Sequence, residues 1–186
     1  MEAEALILAA GSQKRWNETG GPGKKQLVEV GDGTLIERIQ DQFGGIVVTN
    51  DSEIIDHSSF YFRPAVYDCT LDTLLETVDL WEGQQIILLG DVYYSDQAVQ
   101  TIKNYRGKCV FFGTTSEIFA ISFNDHTKVV EAITGIHGKL WQFYRSYCKI
   151  GLHENCITKN FVFIEDDTQD FDRLEEYEDW MCNNRG

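Results

Sequence analysis

Short apolar runs rich in β-branched and aromatic residues recur along this chain, each separated from the next by a stretch of helical periodicity. A parallel strand can be reached from its neighbour only through a crossover of a dozen or more residues, so this alternation points to a mostly parallel sheet covered by helices. Strands are expected over residues 5–10, 45–49, 60–67, 85–89, 109–112, 118–123 and 160–164. Helices are expected over 34–43, where Leu35, Ile36, Ile39 and Phe43 share a face, and over 70–81, 95–105 and 170–181. The stretch 125–147 reads as two helices broken near Gly135 and Gly138. With 186 residues and no repeat, low-complexity tract or Pro-rich linker, the chain reads as one α/β domain, residues 1–186, with a mixed sheet sandwiched by helices.

The first strand, in ALILAAG, runs directly into SQKRWNETGGPGKKQL. A glycine at the strand end lets backbone approach an anion with no Cβ in the way. Unpaired loop amides can donate to phosphate oxygens, and Lys14, Arg15, Lys24 and Lys25 supply charge-assisted bonds. This stretch is not a Walker loop, because the position five before Gly23 is Glu18 and Lys24 is followed by Lys25. Neither GPGKKQ nor GDGTLI supplies the third glycine of a dinucleotide fingerprint.

The local basicity stands in a chain of net charge −14, which argues against a nucleic-acid partner held through its backbone. Residues 165–179, EDDTQDFDRLEEYED, hold nine carboxylates and one arginine and read largely as the solvated face of a C-terminal helix. The five cysteines, at 69, 109, 148, 156 and 182, form no CxxC pair and no Cys/His spacing typical of zinc, and read as free thiols. No basic leader precedes a long apolar run and no segment approaches the ~18 apolar residues of a membrane span, so a cytoplasmic protein without a membrane partner is expected.

Two further strand ends carry acids. IILLGDVYYSD places Asp91 where a buried strand stops, at the carboxyl edge where open α/β sheets bind ligands. FVFIEDDTQD runs into Glu165, Asp166 and Asp167. Carboxylates from two strand ends make a natural cradle for Mg²⁺, whose shell a polyphosphate on the basic loop would complete.

Together these residues resemble the nucleotidyltransferases of GT-A-like, Rossmann-like fold, such as the sugar-phosphate and cytidylyl transferases. The family opens with approximately L-A-A-G-x-G-x-R followed after a gap by P-K. Here LAAGSQKR supplies Leu8, Ala9, Ala10, Gly11 and Arg15, and GKKQL supplies the later lysine. The resemblance implies that Leu8, Ala9, Ala10, Gly11, Ser12, Gln13, Lys14, Arg15 and Thr70 bind the nucleotide. It implies catalytic roles for Arg15 and Lys25, and Mg²⁺ ligation by Asp91 and Asp166, the latter selected over Asp167 by the family's D-x-x-x-D-[LF] ending. Gln13 departs from the motif's second glycine, Lys24 competes with Lys25 for the family lysine, and YDCTLDTLL lacks the glycine usual beside the base and ribose.

The implied reaction is transfer of a nucleoside monophosphate from a nucleoside triphosphate to a small phosphorylated acceptor, a sugar phosphate or an amino-alcohol phosphate, with release of pyrophosphate. His137, Lys139 and Trp141 lie where the acceptor side is expected, with Tyr144 a further wall residue. A GT-A glycosyltransferase using a nucleotide-sugar and a non-catalytic nucleotide-sensing domain are the alternatives, and self-association is left open.

Overall fold

The computed structural model describes residues 4–150 and 160–184. In its first half, β1 (Glu4–Leu8) leads through α1 (Lys14–Glu18) to the short pair β2 (Glu29–Val30) and β3 (Gly33–Thr34). Then come α2 (Leu35–Phe43), β4 (Ile46–Val48), α3 (Ser52–Asp56), β5 (Tyr61–Phe62) and α4 (Thr70–Leu75). The second half runs β6 (Gln85–Leu89), β7 (Val92–Tyr93), α5 (Asp96–Asn104), β8 (Cys109–Gly113), β9 (Ile118–Phe123), α6 (His126–Ile133) and α7 (Leu140–Ile150). It closes with β10 (Phe161–Phe163), β11 (Gln169–Asp170) and α8 (Leu174–Asn184).

Among the described residues, seven strands form one sheet in the order β10-β8-β9-β6-β1-β4-β5. All its neighbouring strands are parallel except β9, which runs against both β6 and β8. The expected mixed, mostly parallel sheet is therefore the observed one. Its two faces are apolar because side chains alternate along each strand. Ile7, Ile86, Leu88, Val110 and Phe112 face one core with α2, α5 and Trp16, whereas Leu6, Ile87, Phe111 and Ile121 face the other with α4, α6 and α7. α2 is a clear case of local and global agreement: Thr34 and Glu37 form a reciprocal capping box, and Leu35, Ile36 and Ile39 are fully buried.

Where structure and expectation differ, a local cause is visible. The 70–81 helix stops at Leu75, because the Thr77 hydroxyl donates to Leu74 O at 2.7 Å and accepts from Trp81 Nε1–H at 2.9 Å, turning Trp81 into the core. The 60–67 strand shrinks to Tyr61–Phe62, just before Pro64, which has no N–H for a ladder. The helix expected from residue 170 begins at Leu174, and Asp170 instead belongs to a strand. Cys148 is disulfide-bonded rather than a free thiol, Cys69, Cys109 and Cys182 are free, and Cys156 lies outside the described residues. No helix among the described residues is long and apolar enough to cross a membrane.

Candidate active site

The strand order turns at β1: β4 and β5 lie to one side, β6 and β9 to the other. Such a switch opens a crevice at the carboxyl ends of the strands. A cleft of about 300 Å³ occupies that position here.

The basic stretch on its rim is not wholly a loop. Residues Lys14–Glu18 form the short helix α1 around Trp16, which is fully buried. Trp16 Nε1–H donates to Pro22 O at 3.3 Å, and a Cβ on Gly21 would fall 2.2 Å from the indole, so only glycine lets the returning chain lie on that ring. The glycines of GGPG thus wrap a tryptophan, and it is Gly11 that lines the cleft. Gln13, the departure from the family motif, accepts the Lys25 N–H on its Oε1 at 2.7 Å and ties the two basic segments together. Lys25 points into the cleft, whereas Lys24 turns away and pairs with Asp51 at 2.6 Å.

The acids reach the same place by backbone pairing. Gly90 N–H donates to Leu8 O at 2.9 Å, and a Cβ there would press on Ala9 Cβ at 3.0 Å and Leu8 O at 3.1 Å, so glycine brings the end of β6 against β1. Tyr94 fixes this corner, its hydroxyl donating to Phe119 O at 2.7 Å and accepting from Leu89 N–H at 3.1 Å. β11 then pairs antiparallel with β7, Asp170 opposite Val92, and Phe171 N–H donates to Asp91 O at 3.0 Å. Phe171 enters the core while Asp170 and Asp172, two apart, share the face toward Asp91.

Oxygens of Asp91, Asp170 and Asp172 lie within 4.8 Å of one another. Lys25 Nζ bonds Asp172 at 2.9 Å and pairs with Asp91, and Arg15 pairs with Asp172. Burial, followed by the charges of Asp91 and Asp172, pushes the Asp170 carboxyl well above the usual range. For Asp172 burial acts upward too, but the charges of Lys25 and then Arg15 outweigh it and hold the group low. Burial acts to lower Lys25, and Asp91 with its neighbours overrides it, keeping the ammonium charged. The donor set is all oxygen, and Asp170 Oδ1 is buried without a hydrogen-bond partner. These residues fit a hard divalent cation such as Mg²⁺.

Of the other expected residues, Leu8, Ala10, Ser12, Gln13, Lys14, Arg15 and Thr70 line the cleft, as do Lys139 and Trp141. Lys14 Nζ approaches exposed Glu18 at 3.8 Å. Ala9 faces the core, its N–H donating to Val48 O. Asp166 is not brought to Asp91: its Oδ1 accepts Thr168 N–H at 2.9 Å in the turn before β11. His137 lies outside the cleft, 3.1 Å from Asp72, and Tyr144 is buried against Phe111 and Trp141. Thr73, Gln26, Glu117, Asp170 and Asp172 line the cleft without having been singled out. The i,i+2 spacing of Asp170 and Asp172 about an aromatic was the available signal for the last two.

No family model matches the sequence, and no curated protein matches it. Solved structures do. CTP:phosphocholine cytidylyltransferase from Streptococcus pneumoniae aligns at TM-score 0.70 and 15% identity over 96% of this chain and 97% of its own. The inositol-1-phosphate CTP transferase from T. maritima aligns at 0.68 and 11% identity over 100% and 97%. A chain assigned as a glucose-1-phosphate thymidylyltransferase from Bacillus anthracis aligns at 0.68 and 14% identity over 98% and 95%. At these identities the likeness is one of architecture, and over nearly its whole length the chain has the fold of the nucleotidyltransferases.

Proposed function

We propose that the protein transfers a nucleoside monophosphate from a nucleoside triphosphate to a small phosphorylated acceptor, releasing pyrophosphate. The observation that carries this reading is the meeting of Lys25 and Arg15 with Asp91, Asp170 and Asp172 at the switch between β1 and β6. Likeness to phosphocholine, inositol-phosphate and sugar-phosphate nucleotidyltransferases supports it.

The balance of the reaction is simple. An acceptor phosphate oxygen attacks the α-phosphorus, the bond from that phosphorus to the β-phosphate oxygen breaks, and the electron pair leaves on pyrophosphate. An ionised acceptor has no proton to lose, so a general base is not required. The difficulty is to bring two anions together, and the side chains here address it by position and charge. The backbone from Ala10 to Gln13 borders the triphosphate, Arg15 steadies the departing phosphates, and Lys25 stands at the α-phosphate. Lys139 and Trp141 also line the cleft, and we assign them to the acceptor. Asp91, Asp170 and Asp172 would hold Mg²⁺, which neutralises charge on the phosphates when bound.

The test is pyrophosphate release from each nucleoside triphosphate with Mg²⁺ and a panel of sugar phosphates and amino-alcohol phosphates. One productive pair is expected. Tight nucleotide binding without release for any pair would overturn transfer in favour of nucleotide sensing.

A further inference from the structure

A second group of metal-ligating side chains stands outside the cleft, and its donors are of a different kind. Cys69 and Asp72 come from the start of α4, and His137 comes from the turn between α6 and α7. Sequence spacing gives no hint of it, because the fold brings the histidine to a cysteine far earlier in the chain.

A single oxygen organises the group. Asp72 Oδ2 lies 3.2 Å from Cys69 Sγ and 3.4 Å from His137 Nδ1, and Asp72 Oδ1 lies 3.1 Å from the same nitrogen. Tetrahedral ligation with bonds of about 2.0–2.3 Å puts ligand atoms about 3.3–3.5 Å apart, so the separations from Asp72 already match a ligand shell, and all three ligand atoms lie within 4.8 Å of one another. The backbone holds the two segments in place. Gly138 N–H donates to Cys69 Sγ at 3.0 Å, and Gly138 O accepts from Leu71 N–H at 3.2 Å. Gly138 has φ +133°, which a side chain would strain, so the turn depends on glycine. A backbone donor aimed at the sulfur also fixes its position as a ligand.

We propose that Cys69, Asp72 and His137 form a site for a transition-metal ion of the Zn²⁺ class, with water completing the shell. One thiolate, one imidazole and one carboxylate select a borderline-soft ion and disfavour Mg²⁺, in contrast to the all-oxygen Asp91 cluster. Binding releases the thiol proton to solvent and leaves the imidazole neutral, its proton on Nε2. The His137 side chain is 82% exposed, so the fourth position opens to solvent. The ion would pin the turn that leads into Lys139 and Trp141, and thereby one wall of the cleft.

Co²⁺ titration of the full chain in excess Mg²⁺ tests the site independently of transfer activity. One equivalent is expected to give a thiolate-to-cobalt charge-transfer band in the near ultraviolet and strong tetrahedral d–d bands, both displaced by Zn²⁺. Cys69→Ser and His137→Ala should remove the charge-transfer band, while Asp170→Asn and Cys182→Ser should keep it. His137→Ala alters an exposed side chain and leaves the core untouched, so it remains informative if Cys69→Ser does not fold. Absence of the band in the wild type, or its persistence in either Cys69→Ser or His137→Ala, overturns the proposal.

Discussion

Lys24 and Lys25 are consecutive residues of the same type, and the structure sends them to opposite sides of the basic stretch. Lys24 reaches Asp51 at the start of α3, where both side chains are partly open to water. Lys25 is 6% exposed and meets Asp91 and Asp172. The difference teaches that chain direction, not residue type, assigns the role: Gln13 accepts the Lys25 backbone N–H, and that bond is one of the contacts that turn Lys25 toward the cleft. On one side an ion pair braces a surface. On the other it occupies the place where an anionic substrate and its cation would be received.

The comparison breaks most sharply at the acids. Asp91→Ala should lower transfer about 10³-fold or more while leaving the thermal unfolding transition nearly unchanged. Steady-state pyrophosphate release and a calorimetric scan read the two effects, and wild-type turnover would remove Asp91 from the site. Asp170→Asn should approach the same loss, whereas Asp166→Asn, in its turn outside the cluster, should keep near-wild-type turnover. The reverse order of those two would restore Asp166 to the cation.

The lysines come next. Lys25→Ala should cost on the order of 10²-fold in kcat/KM, as for loss of one transition-state contact, and Lys24→Ala should cost little. Gln13→Ala removes only the bond that places Lys25, so a loss of no more than about tenfold is expected. The smallest effect belongs to the surface side. Burial acts to raise Asp51, but Lys24 outweighs it and holds the carboxyl low. A group whose folded value is depressed adds stability above its ordinary value, near pH 4, and loses it as the pH falls through the folded one. Asp51→Asn should therefore cost about 0.2–1 kcal/mol at pH 7, with the difference from wild type vanishing in strong acid. Denaturant melts at several pH values measure it.

The sequence was readable where a long periodic signal carried the information. The apolar strand ending at Gly11 and the one ending at Gly90 could be placed at one sheet edge, because buried parallel strands are continuous apolar runs. β7 and β11 could not, since each has only two residues and is stabilised by its partner rather than by its own pattern. That pairing is what substitutes Asp170 and Asp172 for Asp166. α1 was hidden by its charges, for a five-residue helix with one buried side chain shows no period. Cys69 and His137 were invisible as a pair because neither lies on an element that fixes the other.

The reversed strand β9 has a consequence for how such a cleft can diversify. Because it runs opposite to β6 and β8, its first residue, Ile118, and Glu117 just before it reach the same rim as its neighbours' last ones. The hairpin that delivers them is closed by Thr114 N–H donating to Glu117 O at 2.8 Å and needs no crossover. Length and charge can therefore change in that hairpin without shifting the register of β1, β4 or β6. Under the proposed function, selectivity for the acceptor would drift by local insertion there while the residues assigned to the nucleotide stay in place.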